Sequence, residues 1–217
     1  MMRCDAVIFD LDGTLLNTLD DLAASTNRAL DHFCLPERTL DEVRQFVGNG
    51  VEKLIRRAVP AGTDEALVLD CLAWFKQDYM LHMQDQTGPY PGIIDLLKAL
   101  RDNGCKAAVV SNKFDGAVKA LCREHFGDLL PVAIGERPGT LKKPARDLVD
   151  LCVAELGIPA ERCVYVGDSD VDIQTAANAG LPCLSVTWGF RSRDFLTAHG
   201  ASVLVDTPED LLFALST

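Results

Sequence analysis

Five short apolar runs punctuate the chain, Val7 to Phe9, Cys105 to Val110, Val132 to Ile134, Cys163 to Val166 and Pro182 to Val186. Their length and near-continuous hydrophobicity suit strands buried on both faces. From Pro91 onward the period between runs lengthens to that of a helix, over Pro91 to Asp102, Phe114 to Phe126, Ala145 to Glu155 and Val171 to Ala179. Asn103-Gly104, Gly157 and Gly180 stop three of these helices. Ser202 to Val205 reads as a sheet-edge strand, and Thr207-Pro208-Glu209 opens a terminal helix with an N-cap threonine and a proline in its first position. Strands alternating with helices predict an α/β fold, a doubly wound parallel sheet whose working crevice lies beyond the carboxyl ends of the strands.

One stretch breaks the alternation. Asn17 to Phe33 carries apolar positions at Leu19, Leu22, Ala23, Thr26, Ala29, Leu30 and Phe33, the spacing of a helix face. Helices follow over Leu40 to Phe46, Val51 to Val59 and from Thr63 to about Met83, separated by Gly48-Asn49-Gly50 and Pro60-Ala61-Gly62. No strand is expected between Asn17 and about Gln86. The chain therefore divides into a core of residues 1–16 and 88–217 and an all-helical cap of residues 17–87, with hinges near Leu15 to Thr18 and Thr87 to Pro91.

The 217 residues, 48% of them hydrophobic, are ample for a globular core. A net charge of -11 and a pI near 4.7 argue against nucleic acid as a partner. No apolar run is long enough to span a bilayer, and the run after Arg3 is too short for a signal-peptide core, so the expected address is the cytoplasm, with no membrane partner. The eight cysteines are scattered singly with no Cys-x-x-Cys pair, which points to reduced core residues and away from zinc. The assembly is expected to be a monomer or a homodimer.

Candidate chemistry collects at the ends of the apolar runs. Val7 to Phe9 delivers Asp10 and Asp12 to the same side, and Gly13 permits a sharp exit. Two adjoining acids do not both ionise cheaply, an arrangement wanted by a carboxylate nucleophile with an acid/base neighbour. Ser111-Asn112-Lys113, a hydroxyl with backbone N–H groups at an expected helix start, suits a phosphoryl oxygen. Lys142-Lys143-Pro144 brings an ammonium group that offsets negative charge. Gly167-Asp168-Ser169-Asp170-Val171-Asp172 brings three acids to one strand end, hard oxygen ligands of the kind Mg²⁺ takes. With Asp10, Asp168 and Asp172 ionised and Asp12 protonated, Mg²⁺ and Lys143 neutralise the set. The arrangement requires Asp10 to lie within about 10 Å of both Lys143 and Asp168.

These segments, beginning with Asp10-Leu11-Asp12-Gly13-Thr14, resemble in order the signatures of the haloacid dehalogenase superfamily, whose members share a Rossmann-like core. Phe46-Val47-Gly48-Asn49-Gly50 and Val166 to Gln174 narrow the resemblance to its phosphoglycolate phosphatase-like group, although Asn17-Thr18 and Ala145-Arg146 depart from the usual pattern. The resemblance implies an Mg²⁺-dependent phosphomonoester hydrolase acting through an aspartyl-phosphate on a small phosphorylated metabolite, 2-phosphoglycolate first. It implies that Asp10 is the nucleophile and Asp12 the acid/base, that Ser111 and the Asn112 amide hold phosphoryl oxygens, and that Lys143 neutralises charge. The metal set it implies is Asp10, the Asp12 carbonyl and Asp168, with Asp172 in support of the metal or its waters, while the role of Asp170, a further ligand or a helix cap, stays open. Thr14, Arg44, Gly48, Asn49 and Gly50 join Asn112 as substrate-binding candidates, and Lys53, Arg56 and Arg57 are further cap cations able to meet a carboxylate. Other readings of the same residues are a phosphatase of a sugar phosphate, nucleotide or pyrophosphate, a phosphosugar mutase, a metal-free dehalogenase, against which Asp12 and the Asp168 cluster count, or an idle phospho-ligand-binding relative.

Overall fold

The computed structural model describes residues 4–216, which leaves Arg3 of the amino-terminal reading outside the described residues. At its centre lies β1 (Ala6–Phe9), every residue of which is fully buried. Because side chains alternate along a strand, Val7 and Phe9 enter one core and Ala6 and Ile8 another. That two-sided burial accounts for the unbroken apolar run.

On one side of β1 lie β4 (Lys106–Phe114) and then β5 (Val132–Glu136). On the other lie β6 (Cys163–Gly167), β7 (Cys183–Val186) and the two-residue β8 (Leu204–Val205). All six strands are parallel, with Ala6 in register with Lys106 and with Cys163. The Val7 face is covered by α5 (Ile93–Asp102), α6 (Asp115–Phe126) and α10 (Pro208–Ser216). The Ile8 face is covered by α7 (Asp147–Leu156) and α8 (Asp170–Ala179). This is the doubly wound α/β sheet expected from the alternation. A short α9 (Arg193–Ala198) had no counterpart in the sequence pattern, because it exposes all but Leu196 to partial or full solvent.

Four helices, α1 (Leu19–His32), α2 (Leu40–Phe46), α3 (Val51–Ala58) and α4 (Glu65–His82), follow β1. They are flanked by β2 (Leu16–Asn17) and β3 (Gly88–Pro89), which pair antiparallel as a two-stranded ribbon. Asn17, expected to start the first helix, belongs to that ribbon. The buried Asp21 carboxylate accepts hydrogen bonds from the Gln86 N–H, the Thr87 N–H and the Thr87 hydroxyl, tying α1 to the returning chain.

Ser111 to Phe114 also differ from expectation. They do not open a helix but prolong β4, with a register shift between Val110 and Phe114, and α6 begins only at Asp115. Phe114 pairs with Glu136 of β5, and the Asp115 carboxylate accepts from the Gly135 N–H, so the bulged segment is held extended over the crevice. Six cysteines are buried as expected, while Cys34 is exposed and Cys183 half-buried. Among the described residues no helix is long and apolar enough to cross a membrane.

Candidate active site

Beyond the carboxyl ends of β1, β4 and β6 the structure gathers Asp10, Asp12, Ser111, Asn112, Lys113, Lys143, Asp168 and Asp172. Asp10 follows β1 directly; its backbone N–H donates to the Val166 carbonyl (2.9 Å), and its Oδ1 accepts from the Leu11 N–H (2.7 Å). Lys143 Nζ reaches Asp10 Oδ1 at 2.9 Å and Asp172 Oδ1 at 2.8 Å, and bonds the Tyr165 hydroxyl at 3.0 Å. Burial alone would lower the lysine's pKa, but the Asp10 and Asp172 carboxylates outweigh it and hold the ammonium form well above its usual range.

Asp168 sits at the end of β6. Its Oδ1 accepts from the Thr14 hydroxyl (3.1 Å) and its Oδ2 from the Phe190 N–H (2.7 Å). Gly13, in the left-handed region at φ +85°, and Gly189 both lie so close that a Cβ on either would collide with the Asp168 carboxylate. Asp172, fully buried, is spent more heavily. One oxygen takes Lys143 and Tyr165, the other the Ser169 N–H (3.1 Å) and hydroxyl (2.6 Å) in the capping box that starts α8. Asp170 lies in the first turn of the same helix, outside this group.

Oxygens of Asp10, Asp168 and Asp172 lie within 4.8 Å of one another, all buried. Burial, with Asp172 and Asp12 nearby, pushes the Asp10 carboxyl up to about 7 against the pull of Lys143. Burial, Asp172 and Asp10 push Asp168 up to about 8. Crowded buried carboxylates of this kind fit a hard divalent cation, which supplies the charge that burial withholds.

An acid whose folded-state pKa is raised stabilises the fold less as pH climbs from its unfolded value through its folded one. In chelator, the melting temperature is therefore expected to fall between pH 5.5 and 8.5, by roughly 5 °C for a chain of this size. Mg²⁺ should raise it more at pH 8.5 than at 5.5, and Asp168→Asn should flatten the slope. A melting temperature independent of both pH and Mg²⁺ would remove the site.

Asp12 is held differently from the sequence reading. Lys113 Nζ lies 2.8 and 3.1 Å from its two oxygens, and the hydroxyl of Thr18, just before α1, donates to Oδ1 at 2.7 Å. Asp12 thus faces a lysine that no spacing argument singled out as its partner. Lys113 is buried, with Nζ 4.6 Å from the Tyr79 ring centroid of α4, and Asp12 overcomes burial to keep its ammonium form favoured. Four carboxyl groups here face two ammonium groups, a surplus of acid that a divalent cation would offset.

Asp10, Asp12, Lys113 and Asp168 border a cavity of about 40 Å³, roofed by Leu22, Val47, Gly48, Gly50, Val51 and Leu54. Ser111, expected to hold phosphoryl oxygens, lies in its wall. The Asn112 side chain is a strut, accepting from the Lys143 N–H (2.8 Å) and donating to the carbonyls of Lys143 (3.0 Å) and Gly48 (3.1 Å).

Other substrate-binding candidates lie elsewhere. Thr14 is buried behind the cavity, its hydroxyl committed to Asp168. Arg44 pairs with Asp41 on the helix surface and borders a separate 370 Å³ cleft. Asn49 accepts from Arg57, and Arg56 pairs with Glu52 and Glu65. Cations one turn from acids on a short exposed helix find local partners, which is why these did not turn inward. The guanidinium at the cavity is instead Arg191, in the loop after β7.

The Haloacid dehalogenase-like hydrolase family model matches residues 7–186. The phosphoglycolate phosphatase of Pseudomonas putida (strain KT2440) is 35% identical over 213 residues, covering 95% of this chain and 78% of the relative. A crystal structure from Lactobacillus delbrueckii subsp. bulgaricus, carrying a provisional phosphoglycolate phosphatase name, superposes with a TM-score of 0.92 at 40% identity, covering 100% of this chain and 99% of the other. CbbY from Rhodobacter sphaeroides, in complex with xylulose-1,5-bisphosphate, superposes at 0.81 with 26% identity, covering 99% of this chain and 100% of that one.

Proposed function

The chain belongs to the haloacid dehalogenase-like hydrolases, and we propose that within that family it is an Mg²⁺-dependent phosphomonoester hydrolase for a small anionic substrate, 2-phosphoglycolate. The observation that carries the reading is the convergence of Asp10, Lys143 and Asp168, with Asp10 and Asp168 facing a cavity of about 40 Å³.

Asp10 attacks phosphorus in line with the ester oxygen, forming an aspartyl-phosphate, and Asp12, having taken up a proton, passes it to the departing alkoxide. Asp12 then removes a proton from water, which attacks the same phosphorus and releases phosphate and the Asp10 carboxylate. The Lys113 ammonium, 2.8 Å from Asp12 Oδ1, keeps that carboxyl group in place through both steps. The Ser111 hydroxyl and the Asn112 N–H hold phosphoryl oxygens, and Lys143 offsets their charge. Asp10, Asp168 and the Asp12 carbonyl hold the cation, with Asp172 braced behind them. The bound Mg²⁺ supplies positive charge against the phosphoryl oxygens.

Residues 17–87 act as the cap. The space beneath them, about 40 Å³, is tight for any phosphoester, and a two-carbon one displaces less of the roof than a sugar ring does. Above the cavity, α3 starts at Gly50 with no side chain capping its first N–H groups, so the positive end of the helix faces the site and suits a substrate carboxylate. These two features favour 2-phosphoglycolate over sugar phosphates.

The test is phosphate release from a panel of 2-phosphoglycolate, p-nitrophenyl phosphate, glucose 6-phosphate, a nucleoside monophosphate and pyrophosphate, with Mg²⁺ and with EDTA. The expected kcat/KM for 2-phosphoglycolate exceeds that for the sugar phosphate by about a hundredfold or more, the discrimination of a site that rejects by size and unpaired charge, and EDTA abolishes it. A sugar phosphate or pyrophosphate ranking first would overturn the substrate. No turnover of any member would overturn the enzyme.

A further inference from the structure

We propose that Arg191 is a positioning residue, a clasp reaching from the core onto the cap that sets how large a substrate the closed site accepts. This rests on the small-substrate reading above and deepens it. Arg191 Nη1 donates to the Arg44 carbonyl at 2.7 Å, and Nη2 to the carbonyls of Val47 at 2.7 Å and Gln45 at 3.4 Å. These carbonyls belong to the last turn and exit of α2, where helical carbonyls have no partner within the helix and the dipole favours a cation. A planar guanidinium with several fixed donors meets such a cluster in a way one ammonium group does not.

The clasp joins the cap to the groups that place the metal-site acid. Within Trp188–Ser192, the Trp188 indole N–H donates to the Thr14 carbonyl at 3.0 Å, Gly189 packs against the Asp168 carboxylate, and the Phe190 N–H donates to Asp168 Oδ2. One short loop thus holds Asp168 with its backbone and the cap with its arginine. On the far side of the cavity Asn112 holds the same cap segment through the Gly48 carbonyl at 3.1 Å. With both struts engaged, Val47, Gly48 and Gly50 are fixed as roof and the cavity stays at about 40 Å³. Nη1 and Nη2 of Arg191 are both turned onto cap carbonyls, so its effect on substrate passes through the roof.

The test is Arg191→Gln, with Arg191→Lys beside it, read in two ways. Hydrogen exchange of substrate-free protein should show amides of residues 44–50 exchanging about tenfold faster in Arg191→Gln while α7 and α8 keep wild-type protection. In kinetics, kcat/KM for 2-phosphoglycolate should fall about tenfold or more while that for the bulkier p-nitrophenyl phosphate falls much less or rises, narrowing the wild-type preference. Arg191→Lys should lie between. Unchanged exchange with a selective rise in KM for 2-phosphoglycolate would make Arg191 a direct carboxylate ligand and overturn the clasp, as would an equal fall on both substrates. If wild-type protein ignores 2-phosphoglycolate, the substrate reading fails by itself, and the exchange result still decides the clasp.

Discussion

Asp10→Asn is expected to lower turnover by at least about four orders of magnitude, because an amide does not form the acylphosphate. The fold should survive, and the melting temperature in chelator should hold or rise. Burial, with Asp172 and Asp12 adding to it, pushes the wild-type carboxyl up to about 7, so a neutral isostere relieves that cost while Lys143 keeps Asp172 as its partner. Steady-state phosphate release paired with calorimetry checks both halves. Activity near wild type would mean that Asp10 is not the nucleophile, and a collapsed fold would mean that its charge is structural.

Lys143→Met should do the opposite to stability. The ammonium, buried and in contact with Asp10, Asp172 and the Tyr165 hydroxyl, compensates both acids at once. Removing one partner of a buried ion pair costs about 3–5 kcal/mol, or roughly 10 °C in melting temperature for a chain of this length. The loss should be smaller at pH 5 than at pH 8, because with the lysine gone Asp10, already raised, is neutralised more readily by protonation, and a raised folded-state pKa leaves stability greatest at low pH. Activity should fall by about a thousandfold or more even where the protein remains folded. Melting curves across pH check this. A loss equal at both pH values would show that methionine disturbs packing and that charge is not the issue.

The contrast between the two variants separates what could be read along the chain from what could not. Strand ends carrying Asp10 and Asp168 were legible because a buried strand announces itself as an apolar run, and chemistry placed just after it falls into the crevice. Lys143 was legible for the same reason. Lys113 was not, since its partner Asp12 lies 101 residues away and the pairing depends on the bulge that keeps Ser111 to Phe114 extended past Val110. No periodicity marks such a bulge.

Arg191 was invisible on similar grounds, standing in an aperiodic loop and bonding backbone carbonyls, groups that every residue carries. The surface cations of the cap misled in the reverse direction. Arg44 and Arg56 stand out as charges, yet each has an acid within a helical turn, and a nearby exposed partner wins over a distant buried one. Thr14, inside the opening motif, was legible in position and not in partner, because the approach of Gly13 to Asp168 turns its hydroxyl toward the acid.

The central claim is that phosphate passes through a covalent bond to Asp10. It is met most directly by mixing the enzyme, Mg²⁺ and 2-phosphoglycolate, quenching within one turnover, reducing with borohydride and determining the mass of the peptide that contains Asp10. The account predicts homoserine at position 10, the reduction product of an aspartyl-phosphate, and its absence when Mg²⁺ is withheld. Phosphate released in a full turnover with Asp10 unmodified at every quench time would contradict it.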